Sequence, residues 1–305
     1  YHGMSLAFLA VAWLADRAAM ALGAAWPVWL RTTCNQLFIV SAVVMLMATL
    51  IRHRRSDSYR DNAFFLLALA AFPLAKTLML DADHFQAGVA MTVALFRVAF
   101  LIMLERTLTQ FLKNALQVDI LRRPWLDGTI KSLALALAVA PWLPRPLAAA
   151  GALLLAVLLA GRLTFWYPLR ALRRLDLGIM ILGYAAIVAH LCLEAVDALF
   201  SPLWTGALTV HVFTLGVMGL IVPAMIVRIA KGHTGRKVVF EPADKAALWI
   251  MLGAFLVRVV APQMLPGAYS AWITLAAAGW ASAFAILAWR FAPYLLQPRI
   301  DGKEH

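Results

Sequence analysis

Cysteine, acidic residues and long polar stretches are all scarce in this sequence, and each scarcity excludes something. The two cysteines, Cys34 and Cys192, form no C-x-x-C pair, so neither a zinc knuckle nor a thiol–disulfide motif is available. Asp and Glu number 15 against 27 Lys and Arg, and charged residues of both signs make up 14% of 305 positions. A soluble domain carries about 25% charged residues, and a surface this poor in charge would expose large apolar patches to water. No phosphate loop, no H-E-x-x-H and no nucleophile–base–orienter arrangement occurs, which leaves hydrolase and kinase chemistry without support. There is no repeat at the periods of solenoid proteins, no low-complexity linker and no secretory signal pattern. Because the chain opens on Tyr1, the natural protein is expected to extend further upstream.

What is abundant is apolar. Hydrophobic residues fill 64% of the chain, with 11 Trp and 16 Phe, and the mean hydropathy is +0.83. Indole rings suit the boundary between hydrocarbon and headgroups. The formal net charge of +12 raises the question of nucleic acid. The basic residues, however, fall in short clusters between apolar runs, which is how a membrane chain records its orientation.

Apolar runs able to cross a hydrocarbon core of ~30 Å at ~1.5 Å per residue follow one another almost without pause. Spans are expected near 4–22, 33–52, 62–81, 85–104, 130–143, 147–164, 176–198, 205–230, 246–264 and 269–291. The fifth is short and runs into Pro141 and Pro144. One alternating set of loops carries Arg52, Arg54, Arg55 and Arg60, then Arg106 to Lys131, then Arg162 to Arg174, then Lys231 to Lys245, and finally Arg299 and Lys303. The other set, around Asp81–His84, Pro141–Arg145, Ser201–Trp204 and Ala261–Met264, has almost no positive charge. By the positive-inside rule the first set is cytoplasmic. The expectation is an all-α integral membrane protein, a single transmembrane helical domain over residues 1–305. It is a bundle of about ten transmembrane helices with both termini cytoplasmic, as in a bacterial inner membrane. The segments 105–129 and 167–174 are expected to lie along the interface as amphipathic stretches.

Ionisable groups within a span are costly and mark function or a specific pairing. Asp16, Arg17, Lys76, Arg97, His190, Glu194, Asp197, His211 and Arg258 qualify. On the expected topology His190 and His211 lie on consecutive antiparallel spans, both roughly 9–12 Å below the outer surface. Two imidazoles at matched depth are able to hold one metal or the two axial faces of a haem. Glu194, at i+4 from His190, shares its helical face and is placed to fix its tautomer. Arg258 is placed to pair with a bound anion. The bland alternatives are a hydrogen-bonded helix contact for each histidine, snorkelling for Lys76 and Arg17, and a small buried hydrophobe for Cys192. His211 and His233, by contrast, stand ~33 Å apart along a continuous helix and cannot share an ion.

After the eighth span comes Arg228-Ile229-Ala230-Lys231-Gly232-His233-Thr234-Gly235-Arg236. Gly232 is expected to end the helix in the left-handed conformation, with Lys231 complementing the helix dipole. His233 and Arg236 are then left at headgroup level, suited to an anion, a lipid phosphate or a partner. The plain alternative is a basic capping turn that obeys the orientation rule.

This segment, with His211-Val212-Phe213-Thr214-Leu215-Gly216-Val217-Met218-Gly219 before it, resembles the signature of the NnrS family. Trp13-Leu14-Ala15-Asp16-Arg17, Leu182-Gly183-Tyr184, Arg258 and the ending Pro298-Arg299-Ile300-Asp301-Gly302 match more loosely. The resemblance implies a multi-spanning bacterial membrane protein associated with haem and copper and with the response to nitric oxide or nitrosative stress, or with denitrification. It also implies respiratory-chain or denitrification membrane subunits as partners, besides membrane lipid and without nucleic acid. The sequence departs from the pattern in places. It has no His-x-His-Glu-Met segment, Ile181 stands where a His is expected, and family members run about two spans longer at the front. Two other readings fit the residues: a non-catalytic subunit or assembly partner of a larger respiratory complex, and a small-solute transporter.

Overall fold

The computed structural model describes residues 3–55 and 62–302; the expected basic positions Arg60 and Lys303 lie outside the described residues. Every regular element among them is helical. In chain order these are α1 (Met4–Leu22), α2 (Val28–His53), α3 (Asn62–Met79), α4 (Phe85–Leu116), α5 (Pro124–Ala136), α6 (Arg145–Thr164) and the short α7 (Pro168–Ala171). Then come α8 (Leu175–Phe200), α9 (Leu208–His211), α10 (Gly219–His233), α11 (Pro242–Val259), the short α12 (Ala261–Met264) and α13 (Tyr269–Leu295). A π-helix, Val212–Met218, joins α9 to α10. Among the described residues nine helical stretches are long and apolar enough to cross a membrane. The chain is an all-α multi-span membrane protein.

The expected spans and the observed helices agree closely except around the fifth. There Pro124 starts α5 early, because a proline at the first helical position lacks only an N–H that would go unpaired anyway. The helix tightens into 3-10 geometry at Leu137–Trp142, with Pro141 inside the tightened stretch. The segment 105–129 is not a separate interfacial helix. Its first half continues α4 to Leu116, giving 32 residues in all, and the chain reverses at Gln117 with a positive φ of 53°.

The chain forms two compact units, Tyr1–Met103 with Lys131–Leu143, and Leu104–Ile130 with Pro144–His305. In the first, α1, α2 and α3 are tied by polar contacts as well as by apolar packing. Asp16 on α1 is 1% exposed and its carboxylate accepts from Lys76 on α3 at 2.6 Å and from its neighbour Arg17 at 2.8 Å. Lys76 is therefore an interhelical partner rather than a snorkelling cation. Gln36 on α2 donates to the Thr77 hydroxyl at 3.0 Å.

In the second unit, close approach of helices depends on small residues, as is usual in lipid, where packing and not water exclusion drives association. A Cβ on Gly183 of α8 would sit 2.5 Å from Cγ1 of Ile221 on α10, and one on Gly216 of the π-helix would sit 2.7 Å from the Phe255 ring of α11. Gly183 and Gly216 both belong to the motifs singled out from the sequence. Gly183→Ala is expected to cost about 1–3 kcal/mol by overpacking. Thermal unfolding of the detergent-purified protein should show a lowered Tm, whereas Gly253→Ala, with nothing within 4 Å of the added carbon, should leave Tm unchanged.

Candidate functional site

Two polar regions of the second unit carry the residues singled out from the sequence. The first lies where α8, the π-helix and α11 meet. His190 on α8 is 1% exposed; its Nε2 stands 3.8 Å from Oε1 of Glu194, and its ring packs on Phe213 with centroids 5.2 Å apart. His211, half-buried, is the last residue of α9, two positions before Phe213. The Arg258 guanidinium on α11 is close enough to act on His211 electrostatically, and it donates to the Tyr269 hydroxyl at 3.3 Å. Arg258 also borders a cavity of about 210 Å³ against the Leu203–Leu208 segment. Asp197 accepts from the buried Thr205 hydroxyl at 2.7 Å. Cys192 is exposed and Cys34 half-buried.

The segment from His211 onward had been read as an ordinary α-helix. Its π geometry over Val212–Met218 widens the helix just where the two histidine-bearing segments pack, and π turns of this kind cluster at functional sites. Thr214 and the paired glycines 216 and 219 were visible in the sequence, but nothing in their spacing announced an i to i+5 turn.

What such a site could hold follows from its donors. Among the described residues no group of three or more His, Cys, Asp or Glu side chains is arranged to hold a metal ion. A haem brings its own four equatorial nitrogens and asks the protein for one or two ligands, a demand that imidazoles meet.

The second region is built by the motif after α10. Helix α10 runs on through His233 rather than stopping at Gly232. The left-handed residue is Gly235, with φ of 74°. The Arg236 N–H bonds to the Lys231 carbonyl at 2.8 Å and the Gly235 N–H to the Gly232 carbonyl at 3.2 Å, the paired closure of a Schellman turn. A Cβ on Gly235 would collide with the Asp301 side chain at 2.8 Å, and the Ile300 N–H donates to the Thr234 carbonyl at 3.2 Å. The Gly-His-Thr-Gly-Arg motif and the Pro-Arg-Ile-Asp-Gly ending are thereby two halves of one docked turn. His233 is exposed. Arg236 lies over the Tyr294 ring at 4.0 Å and donates to Gln297 at 3.4 Å.

Lys231, expected to do no more than face the helix dipole, is instead 2% exposed. Its ammonium sits 3.0 Å from both Asp244 and Glu241 of the α11 start and bonds the Val239 carbonyl. Arg290 on α13 closes the cluster, 2.6 Å from Glu241 and 2.7 Å from Asp244. Glu241 and Asp244 also form the capping box of α11. A further buried set escaped the sequence reading. Arg162 on α6, 3% exposed, donates to the Tyr184 hydroxyl at 3.0 Å and lies 3.4 Å from Asp127 and 3.8 Å from Glu105. Arg162 is one of the cations expected in a loop, and Glu105 and Asp127 fall in the segment 105–129 expected along the interface. Tyr184 had been noted only as part of a motif.

Two predictions follow from the Lys231 cluster. Replacing Lys231 by Met leaves the wholly buried Asp244 with Arg290 as its one remaining cation among the described residues; the expected loss is about 3 kcal/mol, seen as a collapsed monodisperse peak in size exclusion. The Arg290 hydrogen bond, and then that of Lys231, holds the Glu241 carboxyl below its usual range. A depressed carboxylate pKa contributes stability that is present above the unfolded value of about 4.3 and is lost as pH falls through the folded one. Tm measured on acidification toward about pH 4 should therefore fall less steeply in Glu241→Gln than in the parent, from a lower starting value.

The NnrS protein family model matches residues 1–299 of this chain. No curated protein and no solved structure matches it.

Proposed function

The chain belongs to the NnrS family, multi-span membrane proteins tied to the response to nitric oxide, and on that premise we propose that it is a haem-associated protein of a bacterial inner membrane. The reading places both termini in the cytoplasm, consistent with basic loops at every second turn of the chain. It places His190, Glu194, His211 and Arg258 in the periplasmic third of the bundle.

The observation that carries the reading is the π segment. It begins directly after His211 and packs its Phe213 ring against the buried His190. In this site His211 and His190 are the residues that would hold the group. Glu194 stands close enough to His190 to orient its imidazole, because an acceptor on one ring nitrogen decides which nitrogen is free to ligate. Arg258 is the cation available to a carboxylate of the bound group. Bound there through one of the two imidazoles, haem would supply an iron with a position left for a small diatomic ligand such as nitric oxide. The family likeness also points to copper.

The test is the visible spectrum of the detergent-purified full-length protein before and after dithionite. A Soret band that shifts on reduction and loses most of its intensity in His211→Ala is the expected result, with a smaller loss and a shifted maximum in Glu194→Gln. A featureless spectrum together with blank metal analysis would sink the reading and leave a cofactor-free subunit of a larger complex as the better account.

A further inference from the structure

The turn after α10 opens onto a cavity of about 680 Å³, within the ~300–1,000 Å³ typical of sites for small molecules. Its lining is divided by chemistry. Arg174, Arg228, Arg299 and His233, with Asn114 and the Asp176 carboxylate, supply the polar side, and Phe111 and Ile229 are part of an apolar wall.

The cations are only partly matched. Asp176 receives Arg174 through a two-point contact at 3.2 and 3.3 Å and Arg228 at 3.1 Å. Arg299 forks onto Asp301 at 2.9 and 2.6 Å. Among the described residues three guanidiniums thus meet two carboxylates. Arg228 is the best-organised of the three. Its guanidinium carbon lies 4.2 Å from the Phe111 ring centroid and 5.1 Å from that of Phe240, while one terminal nitrogen also reaches the Asp176 carbonyl at 3.1 Å. Its Nε is buried and has no hydrogen-bond partner among the described residues. A stacked, held guanidinium with an N–H to spare, beside further arginines, is the arrangement that recognises tetrahedral oxyanions by forked hydrogen bonds. A free inorganic anion would leave the apolar wall unused.

We propose that this cavity is a binding site for a phosphate group attached to an apolar body, with Arg228 and Arg174 on the phosphate and Phe111 and Ile229 against the apolar part. The phosphate belongs to a membrane phospholipid or to a soluble phosphate ester. Nothing in the proposal depends on haem, and its test reads no haem signal.

The full-length protein, purified in an uncharged detergent and stripped of lipid, is titrated with dihexanoyl phosphatidylglycerol, with inorganic phosphate and with phosphate-free dihexanoyl glycerol. Tm is followed throughout. The expected result is a saturable rise with the phospholipid and none with the glyceride. Arg174→Ala, which leaves Arg228 on Asp176, and Arg299→Ala, whose own carboxylate partner is Asp301, should each weaken the apparent affinity roughly tenfold, as loss of one charge-assisted contact does. Response to the phospholipid without response to inorganic phosphate supports the lipid source. Response to both supports a site for the phosphate itself and a soluble ester. Equal responses to phospholipid and glyceride, unchanged affinity in both variants, or no response to either phosphate probe would overturn the proposal.

Discussion

A charge inside hydrocarbon must find a partner, and much of this fold can be read as the list of partners found. The cost of burying an unpaired ion is several kcal/mol even after relaxation, so each buried ionic group fixes where a second helix has to be. Asp16 holds Lys76 and so ties α1 to α3. Arg162 draws Asp127 and the Tyr184 hydroxyl to α6. Lys231, Asp244, Glu241 and Arg290 bind the end of α10 to the start of α11 and to α13. Apolar packing in lipid is permissive about which helix meets which; these pairs are not, because a wrong neighbour leaves an uncompensated charge.

The helices themselves were legible because hydrophobic length is a direct physical requirement of crossing a bilayer, and the nine long apolar helices among the described residues fall where the runs of apolar residues predicted. The fifth apolar run was the weak point, since its prolines allow either a kinked span or a shorter helix, and Pro124 moved its start. Burial of the charges was legible only in part. Asp16 and His190 stood out because they lie within apolar runs, whereas Arg162, Asp127 and Lys231 sit near helix ends in basic or mixed surroundings and look like solvated loop residues, and Glu105 lies in α4 just past the expected end of its span. Whether such a residue turns in or out depends on a partner up to 57 positions away, as between Arg162 and Glu105, and no local pattern encodes that.

The motifs carried their meaning at two levels. Gly183, Gly216 and Gly235 each answer to a distance that admits no side chain, so part of the family signature is plain packing geometry. His233 and Arg228 border an open cavity, and His190 and His211 lie on segments that pack together. The π-helix is where the structure departs most from the sequence pattern, since a motif legible residue by residue conceals a backbone form of its own.

That backbone form gives the distance in sequence between His211 and Arg228 a mechanical meaning. A helix advances about 100° of rotation per residue, and a π turn accommodates one residue more than an α turn. Removing a single residue from Val212–Met218 would let the stretch relax to α geometry while the parts of the span before and after it stay close to their present rotation. The π turn is thus a slack link: it takes up one residue so that the His211 end and the Arg228 end keep the alignment a plain α-helix would give them.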